Sequence, residues 1–200
     1  MTLVLWLLAS YLLGAIPTSY LVARWFRGID LREHGSKNLG ATNLYRTLGW
    51  RYAVPAGVFD VAKGAIPVVA FAPRAGSPEW VPIGLGLAAI FGHVFSLFVR
   101  FRGGKGVATA AGAVLGLAPL PLAVSALVWV TLVWATGYVS VGSMSGAVAF
   151  PLAVWLLQPG EPQVLAAGVL LAAFIVVTHR ANIRRLLEGR EARFGHHATP

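Results

Sequence analysis

Long apolar runs separated by short polar stretches dominate this chain. Seven of them read as membrane-spanning helices: Thr2 to Ala23, Tyr52 to Ala72, Pro82 to Val99, Gly106 to Ala118, Leu120 to Val139, Ser143 to Leu157, and Gln163 to Thr178. A spanning helix needs roughly 20 mostly apolar residues. The fourth and sixth runs are shorter and are expected to tilt little or to begin inside a loop. Proline-rich breaks punctuate the runs at Pro73 to Pro78, Pro119-Leu120-Pro121 and Gln158 to Gln163. The expected fold is an all-α integral membrane protein of seven transmembrane helices, one domain over residues 1–200, with 193–200 a frayed tail. The tail's His196-His197 pair is too short to argue a metal site.

Composition agrees with the pattern. Of the 200 residues, 57% are hydrophobic and only 12% charged, about half the charge of a soluble domain. The absence of cysteine excludes disulfides, thiolate metal sites and a cysteine nucleophile. The net charge of +9 does not point to nucleic acid, because the apolar runs leave no soluble basic face. It sorts by side instead. With seven crossings, fourteen of the 16 Lys and Arg residues fall on one side, while Arg74 falls on the other and Lys63 lies in a span. By the positive-inside rule the N-terminus is then outside and the C-terminus cytoplasmic. The first run is not read as a cleaved signal, because its first basic residue, Arg24, follows the apolar stretch.

Three polar segments fall on the basic side. His34 to Arg46 contains Gly35 and Gly40, whose turns gather amides into an anion-binding concavity. Ser36, Asn38, Thr42 and Asn43 add neutral donors to it, and Lys37 and Arg46 add charge. The segment Phe101-Arg-Gly-Gly-Lys-Gly-Val-Ala-Thr109 sets Gly103, Gly104 and Gly106 around Lys105 at the mouth of an apolar helix. There an ammonium, backbone amides and a helix N-terminus converge on an anion. It is not a Walker A loop, since Lys105 is followed by Gly106 and not by Ser or Thr. The third segment leaves the last run as Thr178 to Glu191, with His179 and Asn182 three apart on one face. Ser143, in the short turn after the fifth run, is a fourth and minor element. Asp60 and Lys63, three apart inside the second run, read as an internal ion pair, and His93 has a similar status.

Polar groups on one side, with almost none opposite, describe a one-sided active site, whereas a transporter places its substrate groups near mid-membrane. The substrates should join an anionic head, held by Arg46 and Lys105, to an apolar tail buried among helices. The motifs carry a resemblance. Gly35 to Arg46 is similar to G-S-G-N-P-G-A-T-N-x-x-R, Phe101 to Thr109 to F-K-G-G-K-G-V-A-T, and His179 to Glu191 to H-R-x-N-I-x-R-L-x-x-G-x-E. With Phe59-Asp-Val-Ala-Lys-Gly64 and Gly92-His93, they resemble the bacterial acyl-phosphate:glycerol-3-phosphate acyltransferase (PlsY) family over about Gly14 to Glu191. The departures are Lys37 for a usual Gly, Leu39 for Pro, and Ser96 and Arg100 for Pro and Gly.

The resemblance implies acyl transfer from acyl phosphate to the sn-1 hydroxyl of glycerol 3-phosphate, giving lysophosphatidic acid and phosphate at the cytoplasmic face of the inner membrane. It carries Ser36, Arg46, Lys105, Ser143, His179 and Asn182 over as catalytic residues. Asn38, Gly40, Thr42, Asn43, Gly103, Gly104 and Gly106 are the substrate-binding set. No metal, no cofactor, no nucleic acid and a monomeric state are expected, with membrane lipids as surroundings. Position +5 from His34, His93 and His179 holds Leu39, Phe98 and Arg184, so the His-x4-Asp dyad of the other glycerolipid acyltransferases is missing. A substrate phosphate oxygen is the expected proton acceptor, with His179 as general base and an acyl-Ser36 intermediate as rivals. The competing function is a transporter or flippase of a small organophosphate or anionic lipid, motivated by Asp60 and Lys63 in a span.

Overall fold

The computed structural model describes residues 2–76 and 78–194, so His196, His197 and most of the expected tail lie outside the described residues. Arg193 and Phe194, counted in that tail, are anchored: the Phe194 amide donates to the Gly137 carbonyl at 2.6 Å. All regular structure among the described residues is helical. In order, the α-helices are α1 (Leu3–Ala15), α2 (Thr18–Arg27), α3 (Ala41–Leu48), α4 (Trp50–Ile66), α5 (Ala72–Ala75), α6 (Trp80–Val94), α7 (Val107–Leu115), α8 (Pro119–Thr136), α9 (Val139–Leu157), α10 (Pro162–Thr178) and α11 (Arg180–Leu187). A π-helical turn, Pro67–Phe71, joins α4 to α5.

The expected count of seven spans is corrected. Four helical stretches are long and apolar enough to cross a membrane: Trp50–Ala75, Trp80–Val99, Pro119–Thr136 and Val139–Leu157. Two bent pairs, α1 with α2 at 42° and α10 with α11 at 56°, raise the number to six if each is one span. The run from Gly106 to Ala118 is the one that fails. Its helix, α7, has 9 residues, about 14 Å of rise against a hydrocarbon core of about 30 Å. Placing the N-terminus outside and the C-terminus in the cytoplasm depended on an odd number of crossings and loses its basis. Ser143 is also relocated: it lies inside α9, buried, and not in a turn.

The chain forms two compact units that divide between Leu117 and Ala118. In the first, α1 packs on α6, and α3 and α7 both pack on α4. Glycines close these pairs: a Cβ on Gly14 would strike the Ala89 carbonyl oxygen, and one on Gly92 that of Tyr11. Gly64 and Gly112 do the same between α4 and α7. Lipid supplies no hydrophobic drive between helices, so small residues that let backbones touch carry the association.

The break between α1 and α2 falls at Ile16-Pro17 and frees backbone groups that lipid cannot satisfy. The Lys63 ammonium donates to the Ile16 carbonyl at 2.7 Å and pairs with Asp60 at 2.8 Å. Thr18 donates to the same carboxylate oxygen at 3.0 Å. Asp60 and Lys63 are both fully buried, so deleting either alone costs about 3–5 kcal/mol for the stranded charge. Ser96, which stands where the family usually has Pro, donates to the Ala15 carbonyl at 2.5 Å.

In the second unit α9 packs on both α8 and α10. Gly142 and Gly146, one turn apart on α9, admit the α8 carbonyls of Trp129 and Ser125. Gly137 ends α8 at φ +76, its amide closing on Val133 at 2.8 Å, a left-handed cap that suits glycine.

Candidate active site

The first polar loop is built around Asn43. Its carboxamide oxygen accepts the Ser36 amide at 2.8 Å. Its nitrogen faces the carbonyls of Asn38 at 2.9 Å, His34 at 3.0 Å and Leu31 at 3.3 Å. One buried side chain thus fixes the path of residues 31–38, and its donors are spent on the fold. Leu31 and Leu39 plug the loop into a core with Ala23, Leu44, Ala53, Ala56 and Val99, so Leu39 anchors by burial where the family's proline would stiffen. Lys37 adopts φ 60 and Arg100 φ 57. Both stand where the family usually has glycine, and both keep the left-handed backbone that glycine favours.

Ser36, Asn38, Gly40 and Thr42 are half-buried around this knot, and Arg46 is half-buried in the last turn of α3. Gly40 precedes α3 with extended backbone, so the Ala41 and Thr42 amides open the helix without intrahelical acceptors. Upstream, Arg32 grips Asp30 at 2.6 Å. That guanidinium, hydrogen-bonded to the carboxylate, holds Asp30 down at about 2.

In the second loop the glycines serve the backbone. The Gly103 amide donates to the Val94 carbonyl at 2.9 Å and the Gly104 amide to that of His93 at 3.1 Å. A Cβ on Gly103 would meet the His93 carbonyl oxygen, and one on Gly104 the His93 imidazole at Nε2. The strand of chain lies flat on the end of α6. Lys105 follows, half-buried, and Gly106 turns at φ +85 into α7. The amides of the first turn of α7, a positive helix end, therefore open beside Lys105.

The remaining predicted residues belong to the second unit. His179 sits at the 56° bend between α10 and α11, buried. Its Nδ1 lies 2.8 Å from the Ile175 carbonyl, which places the proton on Nδ1 and the lone pair on Nε2. Asn182 is buried, and its amide nitrogen donates to Glu191 Oε1 at 2.6 Å. Its Oδ1 has no hydrogen-bond partner among the described residues. Glu191 also accepts from Ser140 at 2.9 Å and Arg185 at 2.7 Å. Burial works against ionising Glu191, but the bonds from Asn182, Arg185 and Ser140 outweigh it and hold the carboxyl below the usual range. Ser143 accepts from the Trp129 indole at 3.3 Å, leaving its own hydroxyl proton to donate.

The structure thus gathers Asn43 with Ser36 and Asn38, Gly103 and Gly104 with His93, Ser143 with Trp129, and Asn182 with Ser140, Arg185 and Glu191. Glu191 and Ser140 were not given roles in the sequence reading. The available signal was an acidic residue, one of seven, at the end of a strongly basic segment. Thr18, the third partner of the buried pair, carried no signal.

The first unit thus sets cations beside helix-terminal amides, and the second holds an oriented imidazole and carboxamide, both in a chain of membrane-crossing helices. The glycerol-3-phosphate acyltransferase family model matches residues 4–189. The chain is 45% identical over 189 residues to a glycerol-3-phosphate acyltransferase of Trichlorobacter lovleyi, covering 94% of this chain and 96% of the relative. It is 46% identical over 185 residues to that of Desulforudis audaxviator, covering 92% of each. Among solved structures it is similar to PlsY (YgiH), an integral membrane glycerol 3-phosphate acyltransferase, in its glycerol 3-phosphate form, with TM-score 0.90, 38% identity and 96% of both chains covered. The chain belongs to the glycerol-3-phosphate acyltransferase family, as its motifs led one to expect. It is an acyltransferase and a multi-pass protein of the bacterial inner membrane. The transport reading has lost its motive, because Asp60 and Lys63 are locked into a helix break.

Proposed function

We propose that the chain transfers a fatty acyl group from acyl phosphate to the sn-1 hydroxyl of glycerol 3-phosphate. The hydroxyl oxygen attacks the acyl carbonyl carbon, the carbon–oxygen bond to phosphate breaks, and lysophosphatidic acid and inorganic phosphate leave. Arg46 and Lys105 neutralise phosphate oxygens, the first as a planar fork and the second as a point charge. Amides at Gly40 to Thr42 and at Lys105 to the first turn of α7 add donors to phosphate and to the developing oxyanion. Ser36 and Asn38 orient the glycerol phosphate, and Asn43, Gly103 and Gly104 hold the loops of the first unit. For Ser143, His179 and Asn182, in the second unit, a part in the same reaction rests on the family motifs alone. Two crossings, Trp50–Ala75 and Trp80–Val99, separate the two basic loops, which therefore share a side. Their Lys and Arg assign that side to the cytoplasm.

The observation that carries this reading is the second loop, where Lys105 precedes Gly106 and the opening amides of α7, a cation and a positive helix end in one place for a phosphate ester. The proton of the attacking hydroxyl passes to a substrate phosphate oxygen, the acyl donor being activated enough that positioning supplies most of the rate. His179 as general base is the second reading, favoured by the contact of its Nδ1 with the Ile175 carbonyl. His179→Asn decides between them. A loss in kcat of under about tenfold with an unchanged pH profile supports the first; over about a thousandfold with a lost acid limb supports the second. The reaction itself is tested on purified protein in detergent. Phosphate release from acyl phosphate must depend on glycerol 3-phosphate, and release without it, or equal use of acyl-CoA, defeats the proposal.

A further inference from the structure

Beneath the glycine-lysine loop lies a polar chain that the reaction above does not use. We propose that Asp60 and His93, backed by Lys63, are positioning residues for the phosphate loop at residues 102–106. This rests on the reading that Lys105 and its neighbouring amides bind a phosphate ester. The Gly104 amide is bonded to the His93 carbonyl, and the Gly104 α-carbon lies so close to the imidazole that a Cβ would strike Nε2. The loop therefore rests on the ring of His93, one residue before Lys105. On the far side of the ring, Nδ1 faces Asp60 Oδ1 at 3.8 Å, beyond hydrogen-bond reach, and has no hydrogen-bond partner among the described residues, so the two are joined by a charge–dipole contact only. Asp60 is itself held by Lys63 at 2.8 Å and by Thr18 at 3.0 Å, and Lys63 by the Ile16 carbonyl at 2.7 Å.

The residues in this chain are nearly sealed: Asp60 is 1%, Lys63 0% and His93 7% exposed. The helix break accounts for Lys63, Asp60 and Thr18, which satisfy the Ile16 carbonyl and one another, but not for a buried imidazole set between Asp60 and the loop. What apolar side chains do not supply is a fixed electrostatic seat for an imidazole edge-on to a loop. Rotation of the His93 ring away from Asp60 displaces Gly104 and, with it, the ammonium and helix-end amides that follow. A misplacement of about 1 Å in such groups is enough for a hundredfold loss.

The test uses the full chain in detergent, with KM for each phosphate substrate, kcat and thermal midpoint measured together. His93→Leu fills the space without the polar edge. It is expected to raise KM for one phosphate substrate by about tenfold or more while kcat stays within about threefold. His93→Gln, which restores a polar group of similar reach, brings that KM back to within about threefold of the parent. The double variant Asp60→Leu/Lys63→Met removes both charges together, so that no unpaired charge is left, although the Ile16 carbonyl loses its donor; in the folded protein it raises the same KM. If His93→Leu fails to fold, His93→Gln and the double variant decide. Both KM values unmoved in the folded variants overturn the proposal, as does a fall in kcat and thermal midpoint with KM unchanged. Lys105→Met separates the two layers. If it raises KM and the His93 and Asp60 variants do not, positioning alone fails; if it too leaves both KM values unmoved, the phosphate-loop reading fails first.

Discussion

Asn43 and Asn182, one in each unit, are buried to nearly the same depth, 1% and 3% exposed, yet their carboxamides are used differently. Asn43 spends both ends on backbone and draws Ser36, Asn38, His34 and Leu31 into one turn. Asn182 gives its nitrogen to Glu191 and keeps an oxygen with no partner among the described residues. Burial alone does not tell the two amides apart; the completeness of their hydrogen bonds does. A satisfied buried amide stabilises, and an unsatisfied one costs until a ligand arrives.

The sharpest way to break this contrast is to delete each side chain. Asn43→Ala strands the Ser36 amide and the carbonyls that share its two N–H groups, a loss of about 3 kcal/mol at about 1 kcal/mol per bond. For a chain of this size that lowers the thermal midpoint by roughly 6–12 °C, and activity disappears with it. Asn182→Ala should lower kcat by about a hundredfold while the thermal midpoint falls far less, because Glu191 keeps Ser140 and Arg185. Equal thermal losses for the two variants, measured by fluorescence in detergent, would erase the distinction.

The second test concerns the carboxylate that orients Asn182. The carboxyl of Glu191 is held below its ordinary value in the folded protein, so its contribution to stability is present above about pH 4.3 and fades as pH falls below that value. Glu191→Gln should therefore melt earlier than the parent at pH 7. The gap should narrow as the medium is acidified through pH 4 towards 3. A gap that widens on acidification would mean that the carboxylate destabilises the fold.

The same comparison explains what could be read without coordinates. The family was legible from the three polar segments, because Arg46, Lys105, His179 and Asn182 are residue types that apolar neighbours throw into relief. Span number was not, because the run at 106–118 has the apolarity of a crossing but the length of a short helix: Gly106 starts it and Gly116 ends it after 9 residues. The bend at Ile16-Pro17 was also hidden, since Lys63, which satisfies the Ile16 carbonyl, lies 47 positions from Ile16. Asn43 reads as one more loop donor until its four partners are seen, and Glu191 as one more surface charge. Hydrogen-bond partners distant in the chain are what local patterns leave out.

The smallest expected effect returns to the first loop, where Gly35 and Lys37 share nearly one backbone conformation, φ 57 and φ 60. Their surroundings differ. A Cβ at Gly35 would collide with Asn43 Oδ1, whereas Lys37 is exposed. The left-handed region costs an ordinary residue about 1–2 kcal/mol. Glycine removes that cost but brings extra unfolded-state entropy of about 0.5–1 kcal/mol. The net expectation for Lys37→Gly is a gain of about 0.5 kcal/mol, or 1–2 °C in thermal midpoint, with activity kept. Lys37→Ala removes the charge and keeps the strained φ, so it should give no gain; if it stabilises as much as glycine, charge and not backbone was the cost. Gly35→Ala should lower the midpoint by several times that amount, because it meets both the steric barrier and the carboxamide on which the loop is built.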